Sequence, residues 1–125
     1  MKVLLVDDSR TMRNIWKKII SGMDDVEIME AEDGQKGLEA FNGNGPIDLI
    51  LLDWNMPNMD GLTLLKKIRE SNKNTAVIMV TTEAEKTRII EAIKAGANNY
   101  VVKPFTPDTL MGKIQETLKK MPQTA

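Results

Sequence analysis

The sequence predicts a single-domain α/β fold, a doubly wound parallel sheet of five strands with helices on both faces. Five short apolar runs recur along the chain, a helical periodicity follows each, and no linker or low-complexity stretch breaks the alternation. With 125 residues the chain is long enough to bury a real core without staples.

Val3-Leu4-Leu5-Val6 is the first run, closed by Asp7-Asp8. From Ser9, an expected N-cap, the apolar residues Met12, Ile15, Trp16, Ile19, Ile20 and Met23 recur at helical spacing, with Gly22 near the stop. Val26 to Ala31 alternates and is more polar, which suits an edge strand. Asp33 is the expected cap of a second helix carrying Leu38 and Phe41, and Asn42-Gly43-Asn44-Gly45-Pro46 ends it.

Ile47 to Asp53 is the most apolar strand, and Leu62, Leu65 and Ile68 mark the helix after it. Ala76 to Val80 forms a fourth strand ending in Thr81-Thr82. Ile89, Ile90 and Ile93 mark the next helix, with Gly96 a left-handed stop. Tyr100-Val101-Val102 is the last strand, and Leu110, Ile114 and Leu118 share one face of the last helix. Gly112 lies inside that helix and costs it roughly 1 kcal/mol relative to Ala.

Composition narrows the chemistry. Cysteine and histidine are both absent, which excludes disulfides, thiolate or imidazole metal ligands, and Ser-His or Cys-His nucleophile pairs. Catalysis, if any, falls to carboxylates, hydroxyls, lysine or a hard metal ion. A net charge of −1, with Lys and Arg spread along the chain, gives no electrostatic footprint for nucleic acid. No apolar run approaches a membrane span and the basic N-terminus leads straight into a strand, so no membrane association is expected.

In parallel sheets of this kind ligands bind beyond the carboxyl ends of the strands. Strand one delivers Asp7-Asp8 there, strand three Asp53, strand four Thr81-Thr82, and strand five Lys103-Pro104. Each residue has an ordinary structural use. Asp7 or Asp8 alone caps a helix, Thr81 satisfies backbone, Lys103 is a solvated lysine, and Pro104 shapes a turn, where a cis bond would aim the lysine inward. Their arrival at one rim is what counts. Three neighbouring carboxylates need a cation or protons to relieve their repulsion, and an all-oxygen set selects a hard ion, Mg²⁺ by preference. With Lys103 as a point charge and Thr81 as a hydroxyl donor, such a rim is a clamp for a transferring phosphoryl group, and Asp53, on the middle strand, is best placed as its nucleophile.

These residues resemble the receiver domain of two-component response regulators over essentially the whole chain, residues 1–125, with no output domain expected. The matching pieces are Asp7-Asp8, Asp53, Thr81 and Lys103-Pro104-Phe105, in order and at the proper spacing. The resemblance implies a (βα)5 flavodoxin-like fold with strand order 2-1-3-4-5. It implies that Asp53 accepts a phosphoryl group from a kinase's phosphohistidine, so that the protein is no classical enzyme but assists its own phosphoryl transfer and autodephosphorylation. Asp8 and Asp53 are then direct Mg²⁺ ligands with the backbone carbonyl of Asn55, and Asp7 acts through water. Lys103 binds a phosphoryl oxygen, and Thr81 moves to bond the phosphate. Tyr100 is the switch aromatic that turns inward after it, and Asn55 and Glu83 tune the acyl phosphate's lifetime.

Within that family, Asp53-Trp54-Asn55-Met56-Pro57-Asn58-Met59-Asp60-Gly61 and Asn99-Tyr100-Val101-Val102-Lys103-Pro104-Phe105-Thr106 are most similar to stand-alone chemotaxis regulators of the CheY type. That narrower resemblance implies a cytoplasmic monomer with a chemotaxis-type histidine kinase, a flagellar motor switch protein and a phosphatase as partners. The face formed by the fourth helix, fifth strand and fifth helix would engage the motor, with Lys86, Ile89, Tyr100 and Lys113 in it. Two positions depart from the pattern. Thr82 stands where such regulators often carry Ala, a β-branched neighbour that restricts Thr81, and Gly112 softens the partner face. A phosphorelay shuttle or phosphate sink is the competing use of the same domain. An aspartyl-nucleophile hydrolase wants Asp-x-Asp after the first strand, a spacing Asp7-Asp8-Ser9 lacks.

Overall fold

In the computed structural model, which describes residues 1–121, ten elements alternate strictly along the chain. They are β1 (Lys2–Val6), α1 (Arg10–Ile20), β2 (Glu27–Ala31), α2 (Gly34–Gly43), β3 (Leu49–Leu52), α3 (Gly61–Ser71), β4 (Ala76–Thr81), α4 (Lys86–Ala95), β5 (Asn99–Val102) and α5 (Pro107–Lys120). All pairings are parallel and the strand order is β2-β1-β3-β4-β5, which puts β3 in the centre and the polar β2 at an edge.

The central strands are apolar throughout because both faces of the sheet are covered. Alternate residues belong to different cores. Leu4, Val6, Ile50, Leu52, Val77 and Met79 pack with Phe41, Leu64, Leu65, Ile68 and Ala92. Val3, Leu5, Leu49, Leu51, Ile78 and Val80 pack with Trp16, Ile20, Leu110 and Ile114. A buried Leu or Ile is worth about 1.5–3 kcal/mol over an exposed one, so a one-residue slip of any central strand would exchange every contact on both sides.

The two expected caps are present: the Ser9 hydroxyl accepts from the Met12 N–H and Asp33 from the Lys36 N–H. Two more, not expected from the sequence, are Asp60, which accepts from the Thr63 N–H, and Thr106, which accepts from the Thr109 N–H. Gly96 ends α4 at φ +114°, and the Arg69 guanidinium bonds its carbonyl through Nε (3.0 Å) and Nη2 (2.9 Å). The same Nη2 reaches Asn98 Oδ1 at 2.9 Å. At its other end α4 begins at Glu85 with no side-chain cap.

One expectation needs correction, and three isoleucines that mark helices face outward. The third strand is shorter than Ile47 to Asp53, because Asp53 lies just past its last residue, Leu52. Ile90 and Ile93 do form part of α4, but they are 43% and 47% exposed; Ala92 is the buried residue that seats this helix. Ile15 likewise faces outward on α1, at 41% exposure, while Trp16 and Ile20 hold the core. Helical spacing identified the helices, but small residues can be the inner face when two elements approach closely.

Candidate phosphorylation site

The last rungs of the parallel ladder fix the rim. Asp7 N–H donates to the Ala31 carbonyl (3.2 Å), Asp53 N–H to the Val6 carbonyl (3.0 Å) and Lys103 N–H to the Thr81 carbonyl (2.8 Å). Each chemically interesting residue is thus one step beyond a strand, with its backbone still held by the sheet and its side chain free of the core.

These three meet. Lys103 Nζ lies 2.9 Å from Asp7 Oδ2 and 3.7 Å from Asp53 Oδ2, although Asp7 and Lys103 are 96 residues apart. The ammonium also lies 5.6 Å from the centre of the buried Trp16 ring, close enough for a cation–π contribution. The Lys103–Pro104 bond is cis. Asp7 is 1% exposed and fully engaged, because its Oδ1 accepts from the Ser9 N–H at 2.8 Å. Asp53 is buried as well, and its Oδ1 accepts from the Trp54 N–H at 2.8 Å. Asp8 points to solvent.

One oxygen from each of Asp7, Asp8 and Asp53 lies within 4.8 Å of the others. Two carboxylates at that spacing repel by roughly 3–4 kcal/mol at an effective dielectric of about 20, and Lys103 offsets only part of this. Burial pushes the Asp53 carboxyl above its ordinary value and the Asp7 charge pushes it further; Lys103, the Thr81 hydroxyl and the Trp54 N–H pull it back. Three oxygen donors, one exposed and two buried, fit a hard cation that keeps several waters.

Thr81 is fully buried beside Asp53 and Thr82 is exposed. The Thr81 hydroxyl accepts from the Glu83 N–H at 3.3 Å, and the Tyr100 hydroxyl donates to the Glu83 carbonyl at 2.6 Å. Residue 83 therefore joins Thr81 to Tyr100 through its own backbone. Its carboxylate meets the Asn55 amide at 3.4 Å, so the expected lifetime pair is one contact. Lys86 is exposed at the start of α4, Ile89 and Tyr100 are half-buried, and Lys113 lies 3.7 Å from Glu116 on α5. A groove of about 420 Å³ runs between β5 and α5, past Tyr100, Val102, Phe105 and Lys113.

Several contributors have no sequence signature. Trp54 is buried and Arg88 of α4 stacks over it, 5.3 Å from the ring centre. A Cβ on Gly61 would stand 2.0 Å from the Asp53 carbonyl oxygen, so only glycine lets the turn pass behind the acidic residue. Arg13 bonds the Asp7 carbonyl at 2.6 Å. Among the described residues, no helix is long and apolar enough to cross a membrane.

The chain as a whole is similar to one family of proteins. A family model described as the response regulator receiver domain matches residues 3–115. Chemotaxis protein CheY1 of Helicobacter pylori is 47% identical over 120 residues, covering 94% of this chain and 97% of the relative. The CheY homolog of Campylobacter jejuni is 45% identical, covering 94% and 92%. Among solved structures, the Vibrio cholerae chemotaxis protein CheY4 superposes with a TM-score of 0.85 at 34% identity, covering 93% of this chain and 97% of that one.

Proposed function

Because the chain belongs to the response regulator receiver domain family, we propose that it is a phosphorylation switch of the chemotaxis type, charged on Asp53 by a histidine kinase and read by a flagellar motor switch protein. The observation that carries this reading is the placement of Asp53: a buried strand-end carboxylate with a lysine at 3.7 Å, two further carboxylates and a buried hydroxyl beside it.

In the proposed reaction the free carboxylate oxygen of Asp53 attacks the phosphorus of a phosphoimidazole. The P–O bond forms as the P–N bond breaks, and the histidine nitrogen leaves. Oδ1 stays on the Trp54 N–H, which leaves Oδ2 as the nucleophile. Lys103 moves from Asp7 toward the phosphoryl oxygens, a short displacement because both carboxylates are already within its reach. Asp8, Asp53 and the Asn55 carbonyl would hold Mg²⁺, with Asp7 acting through water, and the bound cation supplies charge neutralisation at the phosphoryl oxygens. Hydrolysis of the acyl phosphate would reset the switch, and the Asn55–Glu83 pair, in contact at 3.4 Å, would tune its lifetime.

Signalling follows from the Thr81–Glu83–Tyr100 chain of bonds. A phosphoryl group brings about −1.5 to −2 charges and new acceptor oxygens, and Thr81 donates to one of them. The Glu83 N–H loses or shifts its acceptor, its peptide turns, and the Tyr100 hydroxyl follows the carbonyl it is bonded to. Tyr100 lies in the wall of the β5–α5 groove, so the change reaches the face that includes Lys86, Ile89 and Lys113.

The experiment uses tryptophan emission, to which Trp54 beside Asp53 and Trp16 beside Lys103 both contribute. It changes on adding Mg²⁺ and changes again on adding a small phosphodonor, while the Asp53→Asn protein shows no second change. An Asp53→Asn protein that still acquires an acyl phosphate overturns the assignment. Phosphorylated protein that binds a motor-switch peptide no more tightly than the unphosphorylated form overturns the output.

A further inference from the structure

The acidic pair at the end of β1 is held from behind by a second set of charges that takes no part in the proposed chemistry. Arg13, on α1, donates through Nη1 to the Asp7 carbonyl at 2.6 Å and through Nε to Glu30 Oε1 at 3.0 Å. Lys17, one turn further along, donates to the other Glu30 oxygen at 2.9 Å. Glu30 is on β2, one residue before Ala31, whose carbonyl takes the Asp7 N–H. The Asp7–Asp8 peptide is consequently gripped on both sides, by β2 at its preceding N–H and by the guanidinium at its carbonyl. The Arg13 side chain is only 12% exposed, and a wide cleft of about 740 Å³ opens beside it and Asp8.

We propose that Arg13 is a positioning residue for Mg²⁺ binding: by fixing the plane of the Asp7–Asp8 peptide it aims the exposed Asp8 carboxylate at the position the cation takes. This rests on the reading of the rim as a Mg²⁺ site. Asp8 has no side-chain hydrogen bond of its own among the described residues, so its direction comes from its backbone. Arg13 is the group that sets that backbone without touching the cation. The planar fork is required for the task, because one side chain must reach a carbonyl and a carboxylate in different directions at once. Glu30 and Lys17 in turn hold the fork.

Charge alone predicts the opposite effect of the same substitution. A cation near a cation site weakens binding, so removing it by Arg13→Met should tighten Mg²⁺ binding if Coulomb repulsion were its only influence, and Arg13→Lys should change nothing. Positioning predicts weaker binding in both variants, by roughly ten- to a hundredfold, the range typical for partners that orient metal ligands.

The test is a Mg²⁺ titration of the full chain, read by its tryptophan emission, for the parent protein, Arg13→Met and Arg13→Lys. It is paired with the Mg²⁺ dependence of phosphorylation by a small phosphodonor. The expected result is a rise in the half-saturating Mg²⁺ concentration in both readouts with an unchanged plateau rate. Tighter or equal binding in Arg13→Met, or an unchanged Arg13→Lys, overturns the inference. A lowered plateau at an unchanged half-saturation point overturns it as well, since that pattern belongs to a general structural defect. Should Arg13→Met fail to fold, Arg13→Lys decides alone. A parent protein that does not respond to Mg²⁺ removes the metal reading, and this inference with it.

Discussion

The Tyr100 hydroxyl donates to the Glu83 backbone carbonyl at 2.6 Å, tying the last strand to the loop that follows Thr81. Tyr100 is the only tyrosine in the chain, so its titration can be followed without interference. Burial, with the Glu83 charge adding to it, pushes this phenol from 10 up to about 12. A raised folded-state value means the neutral form is the one the fold favours. Its contribution to stability is fully present below pH 10 and is lost as the pH climbs from 10 through about 12. Tyrosinate absorbance should appear near pH 12 in the folded protein and near pH 10 in urea. Tyr100→Phe, which removes the donor, should cost about 1 kcal/mol in a denaturant melt.

Asp53→Asn should raise the melting temperature at neutral pH by a few degrees. The Asp53 carboxyl lies above its ordinary value through burial, so ionising it subtracts from stability. Its favourable contribution is present below the unfolded value of 3.8 and disappears as the pH rises through the folded one. The advantage of the Asn variant therefore grows with pH and vanishes in acid. Parallel thermal melts at acid and neutral pH check the sign.

Lys103→Met should act in the opposite direction. It keeps most of the stem over Trp16 and removes the charge that sits 2.9 Å from a carboxylate only 1% exposed. Removing one partner of a buried ion pair costs about 3 kcal/mol or more. A urea melt of the variant should show that loss at neutral pH, and its rate of phosphorylation should fall sharply. A variant as stable as the parent would refute the ion pair's role.

Two glycines should respond with opposite signs. At Gly61 an added Cβ would stand 2.0 Å from the Asp53 carbonyl oxygen, so Gly61→Ala must displace the backbone of the proposed phosphoacceptor. It should cost about 1–3 kcal/mol and slow phosphorylation. At Gly112, inside α5, nothing lies within 4 Å of the added carbon. Gly112→Ala should stabilise by about 0.5–1 kcal/mol with phosphorylation unchanged. Both are read from denaturant midpoints and phosphodonor kinetics.

The fold was legible because its signals are local and redundant. The apolar runs, the Ser9 and Asp33 positions ahead of helices, and Gly96 behind one each carry their own physical reason. The rim was legible too, since a parallel sheet puts all its strand ends on one edge. What stayed hidden were contacts whose acceptors are backbone atoms. Nothing in the letters says that Arg13 finds the Asp7 carbonyl or that Tyr100 finds that of Glu83. The outward turn of Ile90 and Ile93 was hidden for a different reason, because Ala92 gives the periodicity too weak a voice to point the helix.

Helix α4 is fastened differently at its two ends. Arg69 clamps its C-terminal carbonyl to α3, while its first turn begins uncapped at Glu85, next to the Glu83 carbonyl that Tyr100 bonds, and is held by Arg88 stacked on Trp54. A helix held this way would pivot about Gly96, so that a small rearrangement near residue 83 would become a larger sweep of the first turn across the face it presents. Amide hydrogens of that first turn should exchange with solvent well before those of the last, and Arg69→Ala should erase the difference by freeing the fulcrum.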